Sequence, residues 1–120
     1  MKKVVVIEDN EINQELIKRR LVKRGFQVDI AEDGETGLKL VQELKPDLIL
    51  LDISLPRMDG LEVVKILKGD PDLAHIPVIA LTAHAMEGDR QKALAAGFDE
   101  YESKPVKIDQ LLLKMNRLAA

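Results

Sequence analysis

Leu48-Ile49-Leu50-Leu51 runs without interruption into Asp52, and turn-forming Pro56 and Asp59-Gly60 follow within a few positions. A segment this apolar reads as a strand buried on both faces. It ends on a carboxylate, a group that is costly to bury without a partner. Three other segments close on chemically capable residues in the same way. Val4-Val5-Val6-Ile7 is followed by Glu8-Asp9, and Val78-Ile79-Ala80-Leu81 by Thr82. A shorter, more mixed segment, Asp99 to Glu102, leads into Ser103-Lys104-Pro105. Singly, each has an ordinary explanation: an acidic pair before a helix, a strand hydroxyl, a surface lysine, a turn-capping aspartate. Their common placement carries the weight, because open parallel sheets bind ligands just beyond the carboxyl ends of their strands.

Three carboxylates gathered in one cleft repel each other and raise the pKa of at least one of them. A hard divalent cation relieves that repulsion, and Mg²⁺ suits a few carboxylates supplemented by water. Thr82 adds a hydroxyl and Lys104 a positive point charge. Acids, a cation, a hydroxyl and an ammonium together describe a phosphoryl-binding site.

Such a cleft needs a sheet with helices on both faces, and the remaining pattern supplies it. Gln27 to Ala31 makes a fifth strand candidate, mixed in character like an edge strand. Between the strands lie amphipathic stretches. Ile12, Leu16, Ile17 and Leu21 form one stripe, Leu38, Val41 and Leu44 a second, and Leu61, Val64, Ile66 and Leu67 a third. Ala93, Leu94 and Ala96 make a weaker fourth, and Ile108, Leu111, Leu112, Met115 and Leu118 a clear last one. Gly25 and Gly97 stand where helix C-caps are expected, Lys45-Pro46 ends the second helix, and Gly69-Asp70-Pro71 breaks the chain again. Five strands alternating with five helices, joined by right-handed crossovers, predict an α/β, doubly wound parallel sheet covered on both sides.

The 120 residues suit a single domain, expected to span 1–120. Apolar residues make up 46% and charged residues 32%, an ordinary globular balance, while aromatics at 2% leave the core to Leu, Ile, Val and Ala. The lack of cysteine excludes a disulfide scaffold and thiolate metal sites. A net charge of -3 gives no footprint for direct nucleic-acid binding, and the basic run Lys18-Arg19-Arg20 with Lys23-Arg24 reads as a solvated helix face. No stretch has the length of a membrane span or the form of a signal peptide, so the expectation is a cytoplasmic chain without membrane partners.

IEDN at 7–10, LLDISLPRMDG at 50–60, ALTAHA at 80–85 and SKP at 103–105 together resemble the receiver domains of two-component response regulators, over the whole chain. The limits of the sequence resemble a stand-alone, chemotaxis-regulator-like receiver, with a domain excised from a hybrid kinase as the alternative. The resemblance implies the flavodoxin-like strand order 2-1-3-4-5. It implies that Asp52 accepts the phosphoryl group as 4-aspartylphosphate, and that Asp9, Asp52 and the Ser54 backbone carbonyl ligate Mg²⁺, with Glu8 acting through a bound water. Thr82 and Lys104 would each contact a phosphoryl oxygen, Thr82 and Tyr101 would form the switch, and Lys104-Pro105 would be a cis peptide. The implied donor is a phosphohistidine on a sensor histidine kinase or histidine phosphotransfer protein, and the implied output is a changed surface for a downstream protein, without turnover of an external substrate. Ser54 and His84 fall where the family varies; His84 and His75 read as loop side chains, and Met86, at the start of the next helix, as a surface or packing residue.

Two other classes share parts of this pattern. A metal-dependent phosphohydrolase could use the same Asp52 nucleophile, but it wants a second acid two residues on, where this chain has Ser54. A flavodoxin-like electron carrier needs a Ser/Thr-rich phosphate loop after the first strand and aromatics around its flavin; Glu8-Asp9-Asn10 and the absence of tryptophan oppose both.

Overall fold

The apolar runs become the three inner strands of a five-stranded parallel sheet: β1 (Lys3–Ile7), β3 (Leu48–Asp52) and β4 (Val78–Thr82). The mixed segments lie at the edges as β2 (Gln27–Ala31) and β5 (Glu100–Ser103), giving the order β2-β1-β3-β4-β5. The structure, a computed structural model, describes residues 2–83 and 89–119. β5 runs one residue later than the sequence pattern suggests, and β3 and β4 extend through Asp52 and Thr82, so both side chains are held by strand backbone.

Alternation along the strands divides the core in two. Val5, Ile7, Ile49, Leu51, Val78 and Ala80 face α2 (Gly34–Leu44), α3 (Gly60–Gly69) and α4 (Asp89–Ala96), which contribute Val41, Val63, Val64, Leu67 and Ala93. Val4, Val6, Leu48, Leu50, Ile79 and Leu81 face α1 (Glu11–Lys23) and α5 (Ile108–Leu118), which contribute Ile17, Leu21, Leu111 and Met115. Side-chain caps start three of the helices: Asn10 accepts from the Asn13 N–H, Asp33 from Thr36 and Asp59 from Glu62. Gly25 and Gly97, past the ends of α1 and α4, adopt φ of 91° and 118°, which suits glycine.

Not every apolar helix residue is in the core. Ile12 is 71% exposed and Leu16 43%, although both fit the first apolar stripe. At roughly 100° per residue, they lie about 140° and 100° around the helix from Ile17, off the narrow strip that touches the sheet. Leu61 and Ile66 of α3 are exposed for the same reason. The basic run on α1 is exposed, as expected. Among the described residues no helix is long and apolar enough to cross a membrane.

Candidate functional site

Four of the five strands end at one cleft. Asp52, the last residue of β3, is only 3% exposed. Its Oδ1 accepts the Ser54 N–H at 2.9 Å, which turns the chain sharply after the strand. Its Oδ2 receives the Lys104 ammonium at 2.8 Å. The turn is crowded by α3: Gly60 donates its N–H to the Ile53 carbonyl, and a Cβ on Gly60 would stand 2.5 Å from the Asp52 carbonyl oxygen. Glycine is required there by close approach of backbone.

Lys104 enters the cleft from the far side of the sheet. Its N–H donates to the Thr82 carbonyl at 2.7 Å, one step beyond the β4–β5 ladder, and the Lys104-Pro105 peptide is cis as expected. The ammonium also meets Glu8 Oε1 at 2.5 Å. Glu8 follows β1 and is fully buried. Its Oε2 accepts the Asn10 N–H at 3.2 Å, whereas Oε1 has the ionic contact but no aligned hydrogen-bond donor among the described residues. Asp9 is exposed at the mouth. One carboxylate oxygen from each of Glu8, Asp9 and Asp52 lies within 4.8 Å of the others.

Electrostatics follow from this geometry. Burial pushes the Glu8 carboxyl above its ordinary value; Lys104 and the Asn10 N–H pull it down, and the Asp52 carboxylate pushes it further up. Burial alone would lower the Lys104 pKa, but its contacts with the Asp52 and Glu8 carboxylates outweigh it and hold the ammonium above its ordinary value. The cleft therefore contains a committed cation shared between two buried acids, with a third acid at the entrance. Hard oxygen donors at this spacing, one of them buried without an aligned donor, fit a hard divalent cation with water completing its shell.

Thr82 closes β4, 4% exposed, opposite Ser103 in the register. Tyr101 stands opposite Ala80, half-buried against the core on the α3 and α4 side. Thr82 and Tyr101 thus share a face of the sheet as diagonal neighbours. His75 is exposed. His84 and Met86 lie outside the described residues.

Two features escaped the sequence reading. The Gln14 side chain donates to the Glu8 carbonyl at 2.6 Å; nothing in the sequence marks it among polar helix residues. Glu100 and Glu102 of β5 are buried, and basic side chains from the neighbouring helices hold them: Arg117 meets Glu100 at 2.6 Å, Arg90 meets it at 3.2 Å, and Lys114 meets Glu102 at 2.6 Å. Here a signal exists, since alternate glutamates in the strand match Lys114 and Arg117, neighbours on one face of α5.

Residues 4–116 match the family described as the response regulator receiver domain. The polar-differentiation response regulator DivK of Brucella anthropi is 43% identical over 111 residues, covering 92% of this chain and 90% of its own. Among solved structures, the receiver domain of a Francisella response regulator superposes with a TM-score of 0.91 at 31% identity, covering 99% of this chain and 97% of its own. The receiver domain of a sensor histidine kinase from Pseudomonas aeruginosa, solved with a magnesium ion coordinated in its active-site cleft, gives a TM-score of 0.90 at 32% identity, covering 98% and 97%.

Proposed function

The chain belongs to the response regulator receiver domain family of two-component systems, and on that premise we propose that Asp52 is its phosphoacceptor. The observation that carries the assignment is the contact of the Lys104 ammonium with Asp52 at 2.8 Å, in a cleft where Glu8 and Asp9 converge. The donor is a phosphohistidine on a sensor histidine kinase or a histidine phosphotransfer protein. An Asp52 oxygen attacks phosphorus in line with the leaving imidazole; the P–O bond forms as the P–N bond breaks, and the imidazole keeps that electron pair. Lys104, whose ammonium donates to Asp52 at 2.8 Å, would neutralise the transferring oxygens, and the Ser54 N–H, which donates to the other oxygen of Asp52, supports that role for the carboxylate. Thr82, at the same end of the sheet, offers its hydroxyl to a phosphoryl oxygen.

Asp9, Asp52 and the Ser54 carbonyl would hold Mg²⁺, with Glu8 acting through water. When bound, the ion would balance the carboxylates and draw charge from the phosphoryl oxygens. Water later hydrolyses the aspartyl phosphate, so the lasting product is a changed surface, read by a downstream protein. Thr82 and Tyr101 form the switch: a phosphoryl oxygen draws in the Thr82 hydroxyl, and the Tyr101 ring moves into the space released. Their shared face on adjacent strands supports this coupling.

This reading describes one receiver domain over 1–120, acting in the cytoplasm and assisting its own modification without turning over external substrates. Incubation with a small-molecule phosphodonor tests it. The expected result is labelling that requires Mg²⁺ and never exceeds one equivalent per chain; steady release of phosphate from simple esters would point instead to a phosphohydrolase.

A further inference from the structure

The acidic pair sits just where the sheet stops supporting the backbone. Ile7 is the last paired residue of β1, matched to Ala31 on one side and Leu51 on the other. The Glu8 N–H still reaches the Ala31 carbonyl at 2.9 Å, but the Glu8 carbonyl points beyond the ladder. Its donor is the side-chain amide of Gln14, at 2.6 Å, from the second turn of α1. Gln14 is itself fixed, because its N–H donates to the Asn10 carbonyl at 3.0 Å, within the helix start that Asn10 caps. We propose that Gln14 is a positioning residue for the Glu8 and Asp9 carboxylates, acting by locking the peptide plane between them.

A peptide unit is planar, so fixing the Glu8 carbonyl fixes the N–H of Asp9 and limits the rotations that aim both side chains. Glu8 is buried and tied to Lys104, whereas Asp9 is exposed at the mouth of the cleft. Without Gln14, the peptide plane turns more freely about the Glu8 Cα–C and Asp9 N–Cα bonds on either side of it, and Asp9 loses its fixed approach to Glu8 and Asp52. Groups that orient ligating carboxylates from behind set metal affinity, because ordering the ligands is otherwise charged to binding. The inference rests on the reading of the acidic cluster as a metal site.

The test replaces Gln14 by methionine, which keeps the length and helix preference of the side chain and removes the donor. In the whole chain, Gln14→Met is expected to bind Mg²⁺ about tenfold more weakly, the lower end of what such outer partners carry. Its urea midpoint without metal should fall only slightly, on the scale of one lost hydrogen bond. Also without metal, the Asn10 amide, which donates to Glu8 Oε2, should exchange with solvent faster than in wild type. Mg²⁺ affinity within twofold of wild type would overturn the proposal. So would a metal-free loss of stability large enough to explain the weaker binding, which would make Gln14 a support of α1 alone. If wild type itself binds no Mg²⁺, the metal site is wrong, and unchanged Asn10 exchange would then reject the role of Gln14 separately.

Discussion

Lys104 and Asp52 are 52 positions apart in sequence, yet the ammonium of one lies 2.8 Å from the carboxylate of the other at the carboxyl edge of the sheet. Because the same ammonium also meets Glu8, it compensates two buried acids at once. Lys104→Met therefore leaves both without a cation, and breaking a buried pair from one side is costly. The variant should lose about 3 kcal/mol of stability in metal-free buffer, read from urea denaturation. Millimolar Mg²⁺ should recover part of the loss, since a ligand of the native cleft stabilises it by mass action.

The acidic cluster gives a second expectation. Mg²⁺ should raise the melting temperature of the wild-type chain and raise that of Asp9→Ala much less, because Asp9 is the carboxylate at the open mouth of the cluster. Equal responses in thermal scans of the two proteins would remove Asp9 from the metal site.

Gly60→Ala tests how tightly the acceptor strand is packed. The added methyl would meet the Asp52 carbonyl oxygen at 2.5 Å and the Ile53 Cα at 2.7 Å, both backbone atoms that cannot rotate away. Displacing α3 to make room should cost about 2 kcal/mol, within the range of overpacking. Phosphorylation should slow as well, since the turn after Asp52 must shift. Chemical denaturation and labelling rates measure the two effects separately.

Acid stability should report on β5. Burial would raise the pKa of Glu100, but the Arg90 guanidinium and the Tyr101 N–H outweigh it and hold the carboxyl below its ordinary value of 4.5. A group with a depressed folded pKa contributes stability that is complete above the unfolded value and lost as pH falls through the folded one. Glu100→Gln should thus be less stable than wild type by about 2 kcal/mol at neutral pH, the scale of a hydrogen bond to a charged group. The gap should close as pH drops below 4.5. A gap independent of pH would assign the loss to packing.

Much of this was legible in the sequence, for identifiable reasons. β1, β3 and β4 are buried on both faces, and Val4 to Ile7, Leu48 to Leu51 and Val78 to Leu81 show it as unbroken apolar runs. Their chemistry-bearing successors were readable because parallel strands end together. Helix faces were less so: Ile12, Leu16, Leu61 and Ile66 fit an apolar stripe, yet the contact strip is narrower than the stripe. The burial of Glu100 and Glu102 depends on Lys114 and Arg117 of α5; the matching spacing is visible in the sequence, but nothing in it says that this strand and this helix face meet. Gln14 was invisible because its role depends on where β1 stops pairing, a property of three strands together.

The most direct test of the account is to locate the phosphoryl group. Wild type and Asp52→Asn would be treated with a small-molecule phosphodonor and Mg²⁺, the acyl phosphate trapped by borohydride reduction, and the modified residue identified by peptide mass spectrometry. One modified position, Asp52, is expected in wild type, with no label in Asp52→Asn and no label in either when the metal is chelated. Equal labelling of Asp52→Asn, or a label on another residue of the wild-type chain, would contradict it.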